Sequence, residues 1–529
     1  MSIIIDRDKC LACGICEEYC VLDNIRVQIP PCRAACPMNI NPQAYCTLVA
    51  MERPDDALAM IYKDVPFPRV LGYVCHAPCE KECSRRLVDE SVSIRDLKRF
   101  LVDNATYPTA PVKVGWTTGK RVAIVGAGPA GMMAAVFLRQ MGHEVTILDS
   151  LPEAGGMTLA GIPKFHLPDT MRKADTLLLD ELGIEQKYGT TVGEDIGFDD
   201  LIAKYHAVLL AVGTHVEERL NIEGEGSPSV LDGISFLRAV NLGERPEVGS
   251  KVLVIGGGNV AVDSARVVLR LGAQDAQLVC LEQREEMPAF QSEVQGALEE
   301  GVTFNCTWGP ERILLENGNV RGVELKRCIS VWGPEGRFQP TYDPNQRLTL
   351  SADTIIVAIG QLPDLAFLAG SHAKDVFKGN TLRVNPATME TRLEGVFAAG
   401  DMVTGPSSVV EAMASGRKAA ASIDLYLRGQ DLILNRIIKD KKTMTGDVDL
   451  DRARRYPRVP MPRIEVKRRR STFEVIDIGY DAVTARNEAD RCLRCARAIE
   501  YYNECWYCLP CEIECPTEAL TLEIPFLVR

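Results

Sequence analysis

Two stretches of the chain repeat one design, and this repeat constrains the fold more than any other feature. KRVAIVGAGPAGMMAAVFLRQMGHEVTILD, from Lys120, runs an apolar strand into Gly126-x-Gly128-x-x-Gly131, then a helix, then a second strand ending at Asp149. KVLVIGGGNVAVDSARVVLRLGAQDAQLVCLE, from Lys251, does the same through Gly256-x-Gly258-x-x-Ala261 and ends at Glu282. Glycines let the backbone turn tightly and approach a pyrophosphate, which sits at the positive N-terminus of the helix. Ala130 in the first unit, and Asn259 and Val260 in the second, complete the same turns. An acid roughly twenty residues on, closing the second strand, accepts hydrogen bonds from a ribose. Asp149, followed by Ser150, and Glu282 stand at that place. One such fingerprint is weak evidence; two in one chain point to two dinucleotide sites. The plain alternative for Glu282 is an exposed strand-end acid.

A chain of 529 residues is too long for one core and is expected to form three or four domains. The net charge of −12 argues against nucleic acid as a partner. The one basic run, Lys467 to Arg470, reads as a solvated segment. No apolar run approaches the roughly 18 residues of a membrane span, and MSIIIDRDKC lacks the form of a secretory signal. The expectation is a cytoplasmic protein.

Cysteine usage points to redox chemistry. Of 19 cysteines, ten lie at or before Cys83 and six at or after Cys492. Only Cys280, Cys306 and Cys328 fall between, unclustered and read as core packing. Clustered cysteines in a cytosolic chain mean metal or redox sites rather than disulfides. Cys505-x2-Cys508-x2-Cys511-x3-Cys515-Pro516 is the run of a bacterial ferredoxin, whose fourth cysteine serves its own or a neighbouring cluster. Cys10-x2-Cys13-x2-Cys16-x3-Cys20 repeats it, with Val21 in place of the proline. Zinc is the alternative, but zinc sites favour two separated pairs.

A third group has different spacing: Cys32-x3-Cys36, then Cys75-x3-Cys79-x3-Cys83, with Asn41 to Met60 between them reading as helical. PPCRAACPMNI and GYVCHAPCEKEC resemble the N-terminal iron–sulfur domain of glutamate synthase small subunits. Pyrimidine dehydrogenases and the large subunit of NADH-dependent ferredoxin:NADP oxidoreductases share that domain. In this family a Cys-x2-Cys pair precedes the first of these cysteines; here DNIRVQI stands there, while EADRCLRC carries Cys492 and Cys495 in the family's words. Lys98, before Arg99, occupies a place where the family often has an acidic or amide ligand. Cys46 is either a substitute ligand or a helix-face cysteine. Leaving out the three central ones, the cysteines suffice for at most four [4Fe-4S] clusters, with three the comfortable expectation.

The resemblance runs on from Val122 to Gly429. Its further matches are EAGGM (Gly155, Gly156, Met157), GIPKFHLP (Ile162, Pro163), AVGTH (Gly213, Thr214), REEMPA (Arg284) and VAIGQLP (Gly360). Gly400-Asp401 follows an apolar strand and precedes a helix starting near Ser407, at Ser408 and Val409. In flavoproteins of this kind that acid meets the ribityl and phosphate region, and the helix points its positive end at the flavin ring. The resemblance implies FAD in the first unit and a nicotinamide dinucleotide in the second. NADPH-using members read VYRR before MPA, and those arginines fall here on Leu281 and Glu282. NAD(H) is therefore expected.

The expected fold class is α/β. Two Rossmann-like domains, for FAD and NAD, are joined to an N-terminal helical iron–sulfur domain and ferredoxin-like terminal segments. The expected boundaries are 1–28 for a ferredoxin-like segment, 29–117 for the helical iron–sulfur domain and 118–248 for the first part of the FAD domain. The NAD domain follows at 249–352, the second FAD part at 353–430, a linker at 431–485 and a ferredoxin-like segment at 486–529. The expected function is an electron-transfer subunit exchanging hydride with NAD(H) and single electrons with a partner oxidoreductase subunit or ferredoxin. Such a subunit would suit a 2-oxoacid, aldehyde or formate oxidoreductase complex. No side chain is assigned as catalytic, and none of the 6 histidines has a motif that would make it so. No Cys-x2-Cys pair lies in the second unit, which excludes a thioredoxin-reductase-type dithiol. The alternatives are an NADPH-dependent glutamate synthase small subunit and a non-catalytic redox scaffold or sensor.

Overall fold

A computed structural model of the chain describes residues 3–104, 106, 111–368, 377–378, 381–433, 450, 453–501 and 505–523. The two fingerprints each seed a five-stranded parallel sheet. The first has the order Val396–Ala398, Ala207–Leu210, Arg121–Val125, Glu144–Asp149, Glu185–Tyr188. Val122, Ala123, Ile124 and Val125 are all buried, as a parallel strand covered on both faces requires. The second sheet has the order Thr303–Cys306, Asp275–Cys280, Lys251–Ile255, Thr354–Val357, Val230–Asp232. A three-stranded antiparallel sheet, Trp308–Glu316, Asn319–Trp332 and Phe338–Ser351, packs beside it.

The second unit is wider than 249–352. Val230–Asp232, the helix Gly233–Asn241 and Thr354–Val357 belong to it, because parallel strands need crossovers that the chain supplies on both flanks. Two short antiparallel strands, Val216–Glu217 and Gln361–Leu362, carry the chain between the units.

The N-terminal domain is a packed set of short helices. Asn41 to Met60, read as helical, lies in two helices, Pro42–Ala50 and Pro54–Tyr62. Glu52, at φ +57°, turns the chain, and Pro54 restarts it in the first turn, where its missing N–H costs nothing. The helix Ala482–Ala489 returns from the far end of the chain to pack on Pro42–Ala50.

The chain ends, expected as separate segments, form one module. Ile3–Ile5 pairs antiparallel with Leu520–Leu522, and Ile25–Val27 with Ala498–Glu500. Ile3, Ile25, Ala498, Leu520 and Leu522 share its small core. The expected linker 431–485 is more than a linker in its described part. Arg469 is buried and pairs with Glu299 at 2.7 Å, the Ile476 amide donates to the Phe165 carbonyl, and the Tyr480 hydroxyl donates to Val459. One member of the basic run is thus a structural anchor. Among the described residues, no helix is long and apolar enough to cross a membrane.

Candidate redox centre

In the first unit the glycines are required by space. Gly126 has φ +111°, and a Cβ there would lie 2.3 Å from the Ala211 carbonyl oxygen. A Cβ on Gly131 would lie 1.9 Å from the Gly126 oxygen. The helix Pro129–Gln140 begins after Gly128 with no side-chain cap, so its first amides remain for an anion. Gly155 and Gly156 lie alongside, the Cβ position of Gly156 only 2.7 Å from the Gly128 Cα. Asp149 closes its strand as expected, and its carboxylate accepts the Ala127 amide at 2.6 Å and the Leu151 amide at 2.7 Å. It therefore holds the turn itself, and burial pushes its pKa up. Ser150 is exposed beside it, while Met157 opens a short helix and Ile162 and Pro163 follow. The Ile162 carbonyl accepts from the Asn241 side chain at 3.1 Å. Gly131→Val is expected to abolish flavin incorporation, read as the flavin-to-protein ratio of the purified chain.

The helix Val409–Leu427 packs on Pro129–Gln140 so closely that a Cβ on Gly416 would lie 2.1 Å from the Ala130 oxygen. Ser408 caps it in a box with Glu411. Before it, Asp401 accepts from Ser407 at 2.7 Å, and Gly400, at φ +77°, donates to Ser415. Gly213, Thr214 and Gly360 fall where the chain passes between units, with Thr214 donating to Gln361 at 3.4 Å.

The second unit repeats the turn. Gly256 has φ +146°, with the Ala358 oxygen 2.1 Å from its Cβ position, and the helix Asn259–Leu271 starts after Gly258. Ala261 is fully buried in the third position, Val260 lines the turn beside Gly233, and Asn259 accepts the Phe290 amide at 2.9 Å. The strand stops at Cys280, and half-buried Glu282 folds back over the turn. Its Oε2 lies 2.7 Å from the Cβ position of Gly257. Burial raises its pKa. Arg284 is exposed and pairs with Glu285 at 3.4 Å.

The central cysteines are not scattered in space. Cys280 and Cys306 are register partners on adjacent parallel strands with their thiols facing, and Cys328 lies nearby on the antiparallel sheet. Sequence spacing could not show this, since strand neighbours depend on topology. A second feature missed from sequence is a latch between the units. His166 Nε2 lies 3.2 Å from Asp263 and 3.1 Å from Glu293, with Arg266 also 2.6 Å from Glu293. Burial opposes the His166 charge, but Glu293 and Asp263 outweigh it and lift its pKa to about 9.

The terminal cysteines gather across the chain rather than along it. Cys10, Cys13 and Cys16 line one cavity with Cys515; Cys505, Cys508 and Cys511 line another with Cys20. Each ferredoxin run thus sends its fourth cysteine to the other's cavity. Left-handed residues recur at matching places in the two runs, Ala12 and Gly14 in one, Tyr507 and Leu509 in the other. Backbone amides point at sulfur: Asn24 to Cys20 at 3.2 Å, Ala519 to Cys515 at 3.2 Å, Ala498 to Cys10 at 3.4 Å. A third cavity is lined by Cys32, Cys83, Cys492 and Cys495, with the Cys46 side chain buried beneath them. Burial and repulsion from neighbouring thiols push up Cys10, Cys13, Cys16, Cys32, Cys46 and Cys495, and raise Cys492 to about 12 and Cys511 to about 11. As thiolates they need a cation among them.

Cys36, Cys75 and Cys79 form a fourth group, with Lys98 the strongest charge acting on Cys36 and Cys79. His76, within it, stacks on Phe290 of the second unit at 5.9 Å and feels Glu411 at the start of the capped helix. This group therefore borders the nucleotide clefts. The third group is next to it, since Cys32 feels Cys79 as well as Cys492 and Cys83. Gln43 then bridges to the terminal module, donating to the Ala496 carbonyl at 2.6 Å and to the Cys10 carbonyl at 3.3 Å. At the far end Cys508 is exposed.

Two parallel sheets with glycine turns at their carboxyl ends, joined to crowded thiols, define a two-dinucleotide redox protein with iron–sulfur wiring. The chain belongs to the pyridine nucleotide-disulphide oxidoreductase family, whose profile matches residues 120–416. A dihydropyrimidine dehydrogenase domain II, 4Fe-4S cluster profile matches residues 3–109. The chain is 37% identical to the NADP(+)-dependent formate dehydrogenase subunit beta of Moorella thermoacetica over 506 residues, 88% of this chain and 70% of that one. It is 32% identical to the glutamate synthase [NADPH] small chain of Escherichia coli over 446 residues, 79% of this chain and 90% of that one. FprA from Mycobacterium tuberculosis shares the fold, with a TM-score of 0.51 at 18% identity over 59% of this chain and 85% of that one. The chain is thus an FAD- and iron–sulfur-containing oxidoreductase of the glutamate synthase small-subunit type.

Proposed function

We propose that this chain exchanges two electrons with NAD(H), in preference to NADP(H), and passes them singly along four [4Fe-4S] sites to a partner oxidoreductase subunit or ferredoxin. The observation that carries this reading is the row of four thiol groups leading from the nucleotide clefts to exposed Cys508.

The residues fit the groups. Gly126, Gly131 and Gly156 clear a cradle that any Cβ would fill, and the uncapped helix Pro129–Gln140 offers amides to the FAD pyrophosphate. The second turn would do the same for the nicotinamide dinucleotide, and Glu282, whose carboxylate lies over that turn, would accept a ribose hydroxyl. The ligand sets proposed are Cys10, Cys13, Cys16 and Cys515; Cys20, Cys505, Cys508 and Cys511; and Cys32, Cys83, Cys492 and Cys495. Cys36, Cys75 and Cys79 supply the fourth. When bound, these cofactors carry the two-electron and one-electron chemistry; the protein supplies position and potential. Helix N-termini hold the nucleotides, amides directed at sulfur tune the clusters, and the His166 latch fixes one cleft against the other.

Both relatives named above carry NADP or NADPH in their names, so the nucleotide preference rests on Glu282 alone. Anaerobically purified protein is expected to hold about 16 irons and equal sulfide per flavin, for four cubanes. Zinc without labile sulfide would sink the reading. Cys508→Ala should remove one cluster while flavin reduction by the nucleotide stays largely intact. Cys515→Ala should instead remove the cluster of the N-terminal run, leaving that of Cys505, Cys508 and Cys511.

A further inference from the structure

Lys98 sits in the middle of the helix Ile94–Asp103, is 4% exposed, and has no hydrogen-bond or ion-pair partner among the described residues. Lysine is rarely buried so fully, because burying the chain that carries its ammonium is penalised unless a counter-charge stands nearby. The acids around it are engaged elsewhere: Asp96 with Arg95 at 3.0 Å, Asp103 with Arg99 at 3.2 Å, and Glu80 with Arg458 at 2.7 Å. What its charge does face is the thiols of Cys36 and Cys79. These belong to the one group that has three cysteines instead of four and that borders the nucleotide clefts.

We infer that Lys98 is the fixed counter-charge of a three-thiolate iron–sulfur site, which makes that site the easiest of the four to reduce and the first to receive an electron from the flavin. This inference rests on the electron-relay reading proposed above. Reduction adds one electron and one negative charge to the site, with no bond formed or broken. A buried cation beside it favours the more negative state, and net charge is one of the determinants of cluster potential. The missing fourth thiolate acts in the same direction, since it leaves the site less negative before the electron arrives. Lys98 is in this sense a positioning residue for charge, acting on the electron's destination rather than on a reacting bond.

The test is a redox titration of the anaerobic full-length holoprotein followed by electron paramagnetic resonance, with wild type, Lys98→Met and Lys98→Arg compared. The expected result is that Lys98→Met keeps its iron, sulfide and flavin, that one cluster signal moves to lower potential, and that the others stay. Lys98→Arg should restore it. Freeze-quenching the wild type with NADH should show that the displaced signal is the first to appear. Midpoints unmoved in Lys98→Met would overturn the inference. So would loss of that cluster's iron, which would make Lys98 a ligand instead. If Lys98→Met does not fold, a wild type whose first-reduced cluster belongs to the terminal module, identified with Cys508→Ala, overturns it as well. A wild type without cluster signals would defeat the relay reading itself and is thereby told apart.

Discussion

The wild type is expected to prefer NAD(H) over NADP(H) by at least tenfold in kcat/KM, and Glu282→Arg to narrow or reverse that preference. The carboxylate lies over the second glycine turn, 2.7 Å from the Cβ position of Gly257, where the ribose of a bound dinucleotide would rest. There it would accept a hydrogen bond from a 2′-hydroxyl and would repel a 2′-phosphate. Two like charges about 4 Å apart cost on the order of 4 kcal/mol at an effective dielectric near 20, enough to exclude NADP(H). Arg284, the nearest cation in sequence, is exposed and already paired with Glu285, so a phosphate would have to compete for it. Steady-state kinetics with both nucleotides decide the matter. Equal use of NADPH by the wild type would show that Glu282 is only a strand-end acid.

Deleting everything after Ala485 is expected to cost three of the four clusters, not one. The deleted segment contains Cys492 and Cys495 of the third group, all three C-terminal members of the outermost group, and Cys515 of the N-terminal one. Iron should fall from about 16 atoms to about 4 per chain, as four cubanes become one. The deletion also removes Leu520–Leu522, the partner of Ile3–Ile5, and Glu488, whose carboxylate accepts from the Ser93 and Val459 amides and pairs with Arg491. The truncated N-terminal domain should therefore melt at a lower temperature. Loss of the iron of one ferredoxin run alone would show that the two ends are independent.

These two expectations differ in how far sequence alone could carry them. The nucleotide units were legible because each fingerprint is local: an apolar strand, glycines forced by φ and by crowding, and an uncapped helix lie within thirty or so residues. The cysteine runs were legible as spacings but not as partnerships. Cys515 meets Cys10 only because Ile3–Ile5 and Leu520–Leu522 pair across the whole chain. The facing of Cys280 and Cys306 depends on strand order, which spacing does not encode. Residues 431–485 read as a linker, yet in their described part Arg469 and Tyr480 are buried. Lys98 stood out in sequence as a departure from a family pattern; its burial without a partner needed the fold.

Electron transfer from nicotinamide through flavin to iron–sulfur clusters is measured most directly by anaerobic stopped-flow mixing with NADH. The prediction is bleaching of the flavin absorbance followed by loss of the broad cluster absorbance, both complete within turnover time. Cys508→Ala should leave the first phase unchanged. A chain that carries its full iron and flavin yet shows no flavin bleaching with NADH or NADPH would be a redox scaffold, and the account would be contradicted.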